Sequence, residues 1–397
     1  MRRPNPARAP RRRAPALVAS VAIAAATLVG VPRAVEAAPA PDATTSFTWL
    51  AELSDLSLGN SHACGIDDND EAYCWGNDTQ LQLGDGLPQQ RMTTPSPVAV
   101  AGTVLDGKKI VDIASGGRHS CALTDDDLIG CWGDNSMAQL GNGTYVGSAV
   151  PVAVTIAGGP LDGKDLTAIT AGENQSCALT ADGIAACWGA NFNGQLGDGT
   201  TSFRTTPRAV VTTGTPLDGV PIDQIEATGQ NTCALAATGE FGCTGLGTYG
   251  NLGRGSTANA TKLVAPTTAG TVLDGKDIYA FGVGGAGACV ATTDGELACW
   301  GADNRGQVGD GTPGDDELAP KAVTTTGTVL DDETVVEIAA GRNHTCVRTK
   351  EEILACWGAG SLGALGNGDA ADSATPVAVK TEGTILEGLA VVGVASG

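Results

Sequence analysis

Residues 110–133 read IVDIASGGRHSCALTDDDLIGCWG and contain three short apolar runs separated by turn residues. The first run, residues 110–114, ends at Ser-Gly-Gly, and the second, residues 120–124, ends at three consecutive aspartates. The third run covers residues 128–132, and a fourth, residues 151–154, follows a glycine-rich loop. Runs of this length bounded by Gly, Asp and Ser predict four short strands with tight turns between them.

The same pattern occurs six times with a period of 56 or 57 residues. Each unit has two cysteines ten residues apart, and a Gly-x-Gly motif follows the second cysteine after ten residues. The pairs are Cys64 and Cys74, Cys121 and Cys131, Cys177 and Cys187, Cys233 and Cys243, Cys289 and Cys299, and Cys346 and Cys356. Five of the six second cysteines precede Trp-Gly. The fourth unit has Thr244 in place of the tryptophan, which predicts a looser blade.

Four-stranded units repeated in this way favour a β-propeller, in which each sheet packs its faces against its neighbours. The predicted fold is therefore all-β, with six complete blades and the first strand of a seventh. The blades lie near 49–102, 103–158, 159–214, 215–270, 271–327 and 328–383, and a partial unit covers 384–397. Because the seventh unit stops after one strand, we expect a fragment of a longer product rather than an imperfectly closed ring.

The paired cysteines are predicted to lie opposite each other on a hairpin. In the third unit the turn Ala181-Asp182-Gly183 centres the hairpin on Asp182 and places Cys177 opposite Cys187. Opposed residues of antiparallel strands are about 4.5–5.5 Å apart at Cα, a spacing that a disulfide accepts. We therefore predict six disulfides, one in each blade. Zinc binding is a weaker alternative, because no second thiol pair lies near any of these pairs.

The first 37 residues have the layout of a secretory signal peptide, followed by a linker at residues 38–48. Six arginines lie between residues 2 and 13, and residues 16–31 form an uncharged, mostly small and apolar run. Val35 and Ala37 suit a cleavage site after Ala37. A membrane anchor is the alternative, but the run is shorter than the ~20 residues that span a bilayer.

The charge balance excludes one class of partner. The chain has 23 basic and 44 acidic residues and a net charge of −21. Removal of residues 1–37 would leave 16 basic and 43 acidic residues, a net charge of −27. A protein this acidic is not expected to bind nucleic acid, which requires a basic surface. We predict a monomer without a membrane span in the mature chain, secreted or held in the cell envelope.

The unit Ile-Ala-x-Gly-x-x-His-x-Cys-Ala-Leu-Thr, then Cys-Trp-Gly-x-Asn-x-x-Gly-Gln-Leu-Gly-x-Gly, then Pro-Val, resembles the repeat of the regulator of chromosome condensation family. Residues 110–143 match it nearly completely, and the resemblance extends over 49–397. It implies a β-propeller, usually of seven blades. The founding member is a nuclear exchange factor for a small GTPase, an activity that we do not transfer to an acidic, exported chain. In repeat type and export the chain is more similar to the secreted bacterial propeller that inhibits β-lactamase.

No sequence motif indicates catalysis. The chain has no Gly-x-Ser-x-Gly elbow, no His-Glu-x-x-His motif and no phosphate-binding loop. We therefore predict no enzyme, no catalytic residue, no cofactor and no metal site. The acidic clusters are interpreted as solvated turn residues, for example Asp125-Asp126-Asp127. A glycosidase pair among them, or weak Ca²⁺ binding without an EF-hand loop, is the alternative.

One repeat position contains all three histidines of the chain. His62, His119 and His344 occupy it in three units, and the other units have Gln175, Asn231 and Gly287 there. This variation favours a structural hydrogen-bonding role over a catalytic one.

The predicted functional surface is the face that bears the turn before each first cysteine and the long loop after each Trp-Gly. Loops at one end of a rigid scaffold commonly bind partners, and Tyr, Phe and Arg are enriched in protein interfaces. The predicted protein-binding residues are Arg118, Tyr145, Phe192, Phe203, Arg204, Tyr249, Arg305 and Arg342. Packing between blades is the alternative role for Phe192 and Tyr249.

These observations favour a secreted, non-enzymatic propeller that binds another protein as an adhesin, scaffold or inhibitor. The first alternative is a propeller that binds or cleaves polysaccharide or peptidoglycan. The second is a structural envelope module of a longer protein.

Overall fold

The structure is a computed structural model that describes residues 19–23, 53–87, 89–384, 386–387 and 391–396. The only helices in these residues are two single 3-10 turns, Thr248–Gly250 and Ser361–Gly363. Within the same residues, no helix has the length and apolarity required to cross a bilayer. The predicted linker 38–48, and the predicted signal peptide apart from residues 19–23, lie outside the described part.

Six antiparallel sheets, each built from four consecutive strands, confirm the predicted blades. The strands of the first three blades are β2–β5 (Leu53–Leu58, His62–Asp67, Ala72–Gly76, Met92–Pro97), β6–β9 (Ile110–Ser115, His119–Thr124, Ile129–Gly133, Ser148–Ala153) and β10–β13 (Leu166–Ala171, Gln175–Thr180, Ala185–Gly189, Arg204–Ala209). Those of the last three are β14–β17 (Ile222–Thr228, Asn231–Ala236, Phe241–Gly245, Ala260–Val264), β18–β21 (Ile278–Val283, Gly287–Thr292, Leu297–Gly301, Glu317–Ala322) and β22–β25 (Val335–Ala340, His344–Thr349, Leu354–Gly358, Ser373–Ala378). The described strands are completed by β1 (Ala19–Ile23) and β26 (Val391–Ser396).

The second and third strands of each blade are joined by a disulfide between directly opposed cysteines. In the third blade Gly183 adopts the left-handed conformation that the tight turn requires, with φ +80°. All six predicted pairs are bonded, with Cα–Cα distances of 4.0 to 4.1 Å. The bonds join Cys64 to Cys74, Cys121 to Cys131, Cys177 to Cys187, Cys233 to Cys243, Cys289 to Cys299, and Cys346 to Cys356. These cysteines are buried, so each hairpin is cross-linked inside the sheet packing.

The Cα–Cα distances are slightly shorter than the 4.5–5.5 Å expected for opposed strands. In the first blade Cys64 and Cys74 are 4.1 Å apart, and in the second blade Cys121 and Cys131 are 4.0 Å apart. Short separations are typical of non-hydrogen-bonded pairs, in which the side chains approach most closely. No cysteine of the chain is free, which leaves no thiolate for the zinc alternative.

The tryptophans of four Trp-Gly motifs connect their blades to the preceding blade. Trp188 is fully buried, and its Nε1 donates a hydrogen bond to the main-chain oxygen of Gln139 at 2.9 Å. Gly141 of the same preceding blade lies against the indole. The equivalent hydrogen bonds are Trp132 to Gln82, Trp300 to Asn251 and Trp357 to Gln307. This repeated insertion explains why Trp-Gly and the glycine motif recur with one fixed spacing.

The fourth blade compensates for its missing tryptophan with polar contacts. Thr244 is fully buried, and its hydroxyl lies within hydrogen-bond distance of the main-chain oxygens of Gly194 (2.9 Å) and Ala260 (2.8 Å). The Gly194 contact again joins the blade to the preceding blade. The threonine therefore keeps this blade joined to the preceding blade, and the looser packing expected from the sequence stays a prediction.

The innermost strands of the blades contact one another in sequence around a central channel, and β26 completes this ring between β22 and β2. Strand β26 has no antiparallel partner among the described residues, and β1 runs parallel to it. The first strand of a seventh blade is therefore present, as predicted. Strand β1 falls within the predicted signal peptide, so cleavage after Ala37 would remove this pairing.

Candidate functional site

Two kinds of connection emerge on the same face of the ring. Inner turns join the first and second strands of each blade, and long loops join the third and fourth. The two are hydrogen-bonded to each other: the Asp134 N–H of a long loop donates to the Arg118 oxygen of an inner turn at 2.9 Å. The same bond recurs in all six blades. We call this surface, formed by the inner turns and the long loops, the loop face.

A cavity of about 240 Å³ lies where the channel opens on the loop face. The inner turns of all six blades contribute to its wall. Seven of the seventeen lining residues are glycines, and the charged residues of the lining are Glu173 and Arg342. The opening therefore presents main-chain polar groups with one acidic and one basic residue.

Inside the channel, side chains of one blade satisfy backbone N–H groups of the next. The inner strand of a propeller blade has no neighbouring strand on its channel side. The N–H groups that face the channel therefore need other hydrogen-bond acceptors. Asp112 accepts from the Ile169 N–H at 3.0 Å, and Glu226 accepts from the Val283 N–H at 3.1 Å. The other acceptors are Ser57 for Ser115, Thr170 for Ala227 and Glu337 for Val394. This arrangement leaves no motif in the sequence, because the accepting residue types differ from blade to blade.

Burial raises the pKa of Glu226 to about 8, despite the opposing hydrogen bond from Val283. The side chain is part-buried in the channel rather than fully enclosed. At neutral pH the protonated form is therefore favoured, and the channel is less acidic than the net charge of the chain suggests.

Exposed apolar side chains are concentrated on the loop face. Seven large hydrophobic residues of the described part are exposed, and six of them lie in long loops. The six are Leu87 (44%), Tyr145 (55%), Val146 (73%), Phe192 (61%), Tyr249 (49%) and Leu362 (67%). Val336, on an inner strand, is the exception at 36%. Exposed apolar side chains gathered on one surface are characteristic of interaction sites.

An aromatic pair and a chain of side-chain hydrogen bonds lie on the loop face of the third and fourth blades. Phe192 and Phe203 pack edge to face, with ring centroids 4.4 Å apart. Beside Phe192, Asn193 donates to Gln230 at 2.6 Å and accepts from Asn259 at 2.8 Å. Gln230 in turn donates to Glu173 at 3.0 Å. These side-chain hydrogen bonds connect two inner turns and two long loops, which holds the aromatic pair beside the axial opening.

Four non-glycine residues of the long loops adopt the left-handed backbone conformation, namely Leu81, Ala138, Tyr249 and Leu362. Tyr249 and Leu362 lie at equivalent positions of the fourth and sixth blades, with φ of +67° and +61°. Non-glycine residues in this region cost on the order of 1 kcal/mol or more, and such residues cluster at functional sites. Both side chains are exposed, so they gain little from packing in return.

The predicted arginines fall into two groups. Arg204 bonds Asp198 at 2.6 Å, and Arg305 bonds Asp372 of the next blade at 3.0 Å. Arg118 and Arg342 are exposed on inner turns and form no ion pair with the described residues. The first two therefore order the loops, whereas the second two present positive charge to solvent.

All eight predicted binding residues belong to the inner turns, the long loops or the start of β13, spread over the second to sixth blades. Only Phe192, Phe203 and Arg204 are gathered within one loop and its adjoining strand; the others are distributed around the ring. Leu87, Val146 and Leu362 are exposed on the same face but were not predicted, because the prediction rested on aromatic and basic residues. Apolar residues within glycine-rich loops were the sequence feature that could have predicted them.

The histidines connect neighbouring blades. His62 Nε2 is 2.8 Å from Ser120 Oγ, and His119 Nε2 is 2.8 Å from Ser176 Oγ. Burial lowers the pKa of His62 to about 3 and that of His119 to about 4, so both rings are neutral at physiological pH. No described residue hydrogen-bonds the buried His344 Nε2, which lies at the side of the sixth blade where a seventh would follow.

The acidic residues of the hairpin tips lie on the opposite face of the ring. Three of them are paired with lysines of the preceding connection and lie in three different blades. The ion pairs are Asp126 with Lys108, Asp182 with Lys164, and Asp294 with Lys276. The tip acids are therefore spread around the rim, whereas Asp112, Glu226 and Glu337 in the channel each accept a backbone N–H of the next blade.

Comparison with known proteins agrees with this architecture. The chain matches the RCC1-like domain family over residues 27–397. It is 28% identical over 326 residues to the ultraviolet-B receptor UVR8 of Arabidopsis thaliana, covering 82% of this chain and 69% of UVR8. It is 28% identical over 319 residues to human HERC2, an E3 ubiquitin-protein ligase, covering 79% of this chain but 6% of HERC2.

Solved structures show the same fold at low sequence identity. Human WBSCR16 superposes with a TM-score of 0.72 at 22% identity, covering 87% of this chain and 84% of that one. Yeast RCC1 (Prp20), solved with Kap60, superposes with a TM-score of 0.68 at 20% identity, covering 84% and 76%. The family match covers far more than half of the chain and the six-bladed ring agrees with it; the chain therefore belongs to the RCC1-like domain family.

Proposed function

We propose that this chain is a protein-binding propeller whose partner docks on the loop face. The observation that carries the proposal is the concentration of exposed apolar residues in the long loops, six of the seven in the described part. RCC1-like propellers are interaction modules, and yeast RCC1 has been solved in complex with another protein, Kap60. Tyr and Phe supply large contact areas with few rotatable bonds, which favours them as binding anchors.

The partner is expected to combine an apolar surface with acidic groups. Phe192, Tyr249 and Leu362 offer the apolar contacts, and Arg118 and Arg342 offer positive charge near the axis. The chain as a whole is strongly acidic, with a net charge of −21. A partner with a basic body and one acidic, partly apolar docking segment would fit both features.

The site of action is proposed to be outside the cytoplasm. Six buried disulfides are compatible with an extracellular protein, because such bonds persist in oxidising compartments. The N-terminal layout of the sequence supports export, and mature protein beginning at Ala38 is the expected product. In that setting the chain would act as an adhesin, a scaffold or an inhibitor. N-terminal sequencing of the protein recovered from the culture medium or envelope tests this localisation.

The binding proposal is tested by affinity capture with the full oxidised chain and two variants. The bait is exposed to the secreted and envelope proteins of the producing cell, and affinity for the captured protein is then measured. We expect the double variant Phe192→Ala with Tyr249→Ala to lose at least tenfold in affinity, because interface hot spots are typically aromatic. Val336→Ala is the matched control, because it removes an exposed apolar residue outside the long loops.

Equal affinities for the wild type and the double variant would refute the role of the loop face. Retention of a glycan instead of a protein would favour the carbohydrate-binding alternative. Unchanged far-UV circular dichroism of the variants is required for either conclusion, and it is expected because both side chains are exposed.

A further inference from the structure

The cavity at the axial opening of the loop face, here called the axial cavity, is surrounded by residues at one repeat position of the inner turns. Each lies four residues before the first cysteine of its blade, and the six are Asn60, Gly117, Glu173, Gly229, Gly285 and Arg342. Three of them are glycines, so these turns add no side chain to the wall. The cavity of about 240 Å³ is larger than the ~150 Å³ that holds a benzene molecule, so it has room for a partner side chain.

The fifth and sixth blades bring a guanidinium group and a turn without a side chain together in this wall. Arg342 packs against Gly285, because a Cβ added to the glycine would lie 3.4 Å from Arg342 Cγ. Arg342 is exposed and forms no ion pair with the described residues. The wall of the axial cavity therefore contains an unpaired positive charge.

Two main-chain N–H groups at the same place also lack an acceptor. In the third blade the N–H of Glu173 donates to Gly229 O of the next inner turn at 2.7 Å, and the second blade makes the equivalent bond. No such bond joins the fifth blade to the sixth. No described residue accepts a hydrogen bond from the N–H of Gly285 or from that of Arg342. Two main-chain donors and one guanidinium group thus lie together without acceptors.

This set of donors favours an anion with two oxygen atoms. Main-chain N–H groups of turns bind anions, and arginine presents parallel N–H groups that match a carboxylate. The acidic residue of the wall, Glu173, lies three blades away from Arg342 and accepts from Gln230 at 3.0 Å. The net charge of −21 disfavours general attraction of anions, so binding here must come from the local donors.

We propose that the axial cavity binds a carboxylate of the docking partner, namely an aspartate or glutamate side chain, through the Arg342 guanidinium and the N–H groups of Gly285 and Arg342. The choice of a protein as the source of the carboxylate rests on the proposed function, whereas the carboxylate site itself does not. A partner oxygen would accept from the fifth blade as Gly229 O accepts from the third. The partner would thereby link two inner turns that the chain leaves unlinked.

The surroundings of the cavity favour a protein as the source of the carboxylate. The opening lies in the middle of the loop face, and exposed apolar residues such as Phe192 and Tyr249 occupy the long loops around it. A partner segment with an acidic residue between apolar ones would contact both the cavity and these loops. A free carboxylate metabolite would use the cavity alone.

The carboxylate site is tested without the partner by titration of the full, oxidised chain with acetyl-aspartyl-amide. Two-dimensional ¹H–¹⁵N NMR should show saturable shifts of the N–H signals of Gly285 and Arg342. Acetyl-asparaginyl-amide, which has nearly the same shape without the charge, should cause no saturable shift. Arg342→Gln should weaken binding at least tenfold. Arg208→Gln is the matched control, because it removes an exposed arginine of β13 that lies outside the cavity wall.

The role of the site in docking is tested with the protein that the loop face captures. Arg342→Gln and Gly285→Leu should each lower the affinity for this partner at least tenfold, the first by loss of the ion pair and the second because leucine fills the cavity. Gly285 lies outside the left-handed region, so leucine adds no backbone strain there. Unchanged far-UV circular dichroism is expected for both variants.

The outcomes separate this inference from the proposed function. No saturable shift in the wild type, or equal binding of the two amides, would overturn the carboxylate site whatever the loop face binds. Saturable binding of acetyl-aspartyl-amide together with unchanged partner affinity of Arg342→Gln would overturn its role in docking and indicate a site for a free carboxylate. If only the Phe192→Ala and Tyr249→Ala double variant lost partner affinity, the proposed function would stand and the present inference would be refuted.

Discussion

Replacement of Gly141 by alanine tests the contact that joins successive blades. Gly141 has φ +64°, and an added Cβ would lie 2.6 Å from Trp188 Nε1, closer than real Cβ contacts allow. The indole is fully buried and donates to Gln139, so it cannot move without losing that bond. Backbone strain costs about 1 kcal/mol, and overpacking against a rigid ring adds about 1–3 kcal/mol. We expect Gly141→Ala to lower the free energy of unfolding by about 2–4 kcal/mol.

Gly197 supplies a matched control within the same chain. Its φ is +66°, so alanine meets the same backbone strain, but the next blade has Thr244 instead of tryptophan. The added Cβ would lie 3.1 Å from Val210 and 3.3 Å from Thr244, whose small side chains can adjust. Gly197→Ala should therefore cost only about 1–2 kcal/mol.

Urea-induced unfolding, followed by tryptophan fluorescence with the disulfides intact, measures both variants. Gly141→Ala should also cost less in a Trp188→Thr background, because that change reproduces the arrangement at Gly197. Equal losses of unfolding free energy for Gly141→Ala and Gly197→Ala would show that backbone strain alone makes glycine necessary at these positions. The tryptophan insertion would then not be the reason for the fixed spacing of the two motifs.

Three further predictions concern the channel, the loop face and the first blade, whose inner strand contacts β26. The pKa of Glu226 is raised from 4.5 to about 8, so its contribution to stability is greatest below pH 4.5 and is lost as the pH rises to 8. Glu226→Gln should therefore stabilise the protein at pH 7 by about 1–3 kcal/mol and have little effect at about pH 4, as measured by urea unfolding. Tyr249→Gly should relieve backbone strain and raise the melting temperature while it weakens partner binding, which calorimetry and affinity measurements separate. Trp75 is only part-buried whereas Trp132 is fully buried, so Trp75→Phe should destabilise less than Trp132→Phe in the same unfolding assay.

The elements that the sequence predicts best are those repeated in every unit. A hairpin centred on Asp182 predicts that Cys177 and Cys187 lie opposite each other, because residues equally distant from the centre of a hairpin pair with each other. The Trp-Gly motif and its distant glycine recur together because they meet at one contact between blades. Contacts that recur in every blade produce sequence motifs that recur with the same period. The number and order of the blades can therefore be derived from the spacing of these motifs alone.

The features that escaped prediction occur once or vary among units. Glu226 accepts a backbone hydrogen bond in one blade, and serine, threonine or aspartate does so in others, so no motif marks the channel. The fifth blade has Asp303 where the third blade has Asn191, and a carboxylate cannot donate the hydrogen bonds that the Asn191 amide group makes. Thr244 looks like a defect in the sequence, but its hydroxyl finds two acceptor oxygens when the blade packs.

Variation among equivalent positions also indicates where recognition occurs. The long-loop position six residues after the second cysteine of each unit is filled, blade by blade, by Gln80, Met137, Asn193, Tyr249, Arg305 and Leu362. The cysteines, the apolar residue before each Gly-x-Gly motif and the paired glycines stay nearly constant in the same units, because every blade must pack alike against the next. A symmetric ligand would be contacted by equal residues around the ring. Six different side chains at one position of the loop face therefore favour an asymmetric partner that contacts each blade differently, which a folded protein surface provides and a repeating glycan does not.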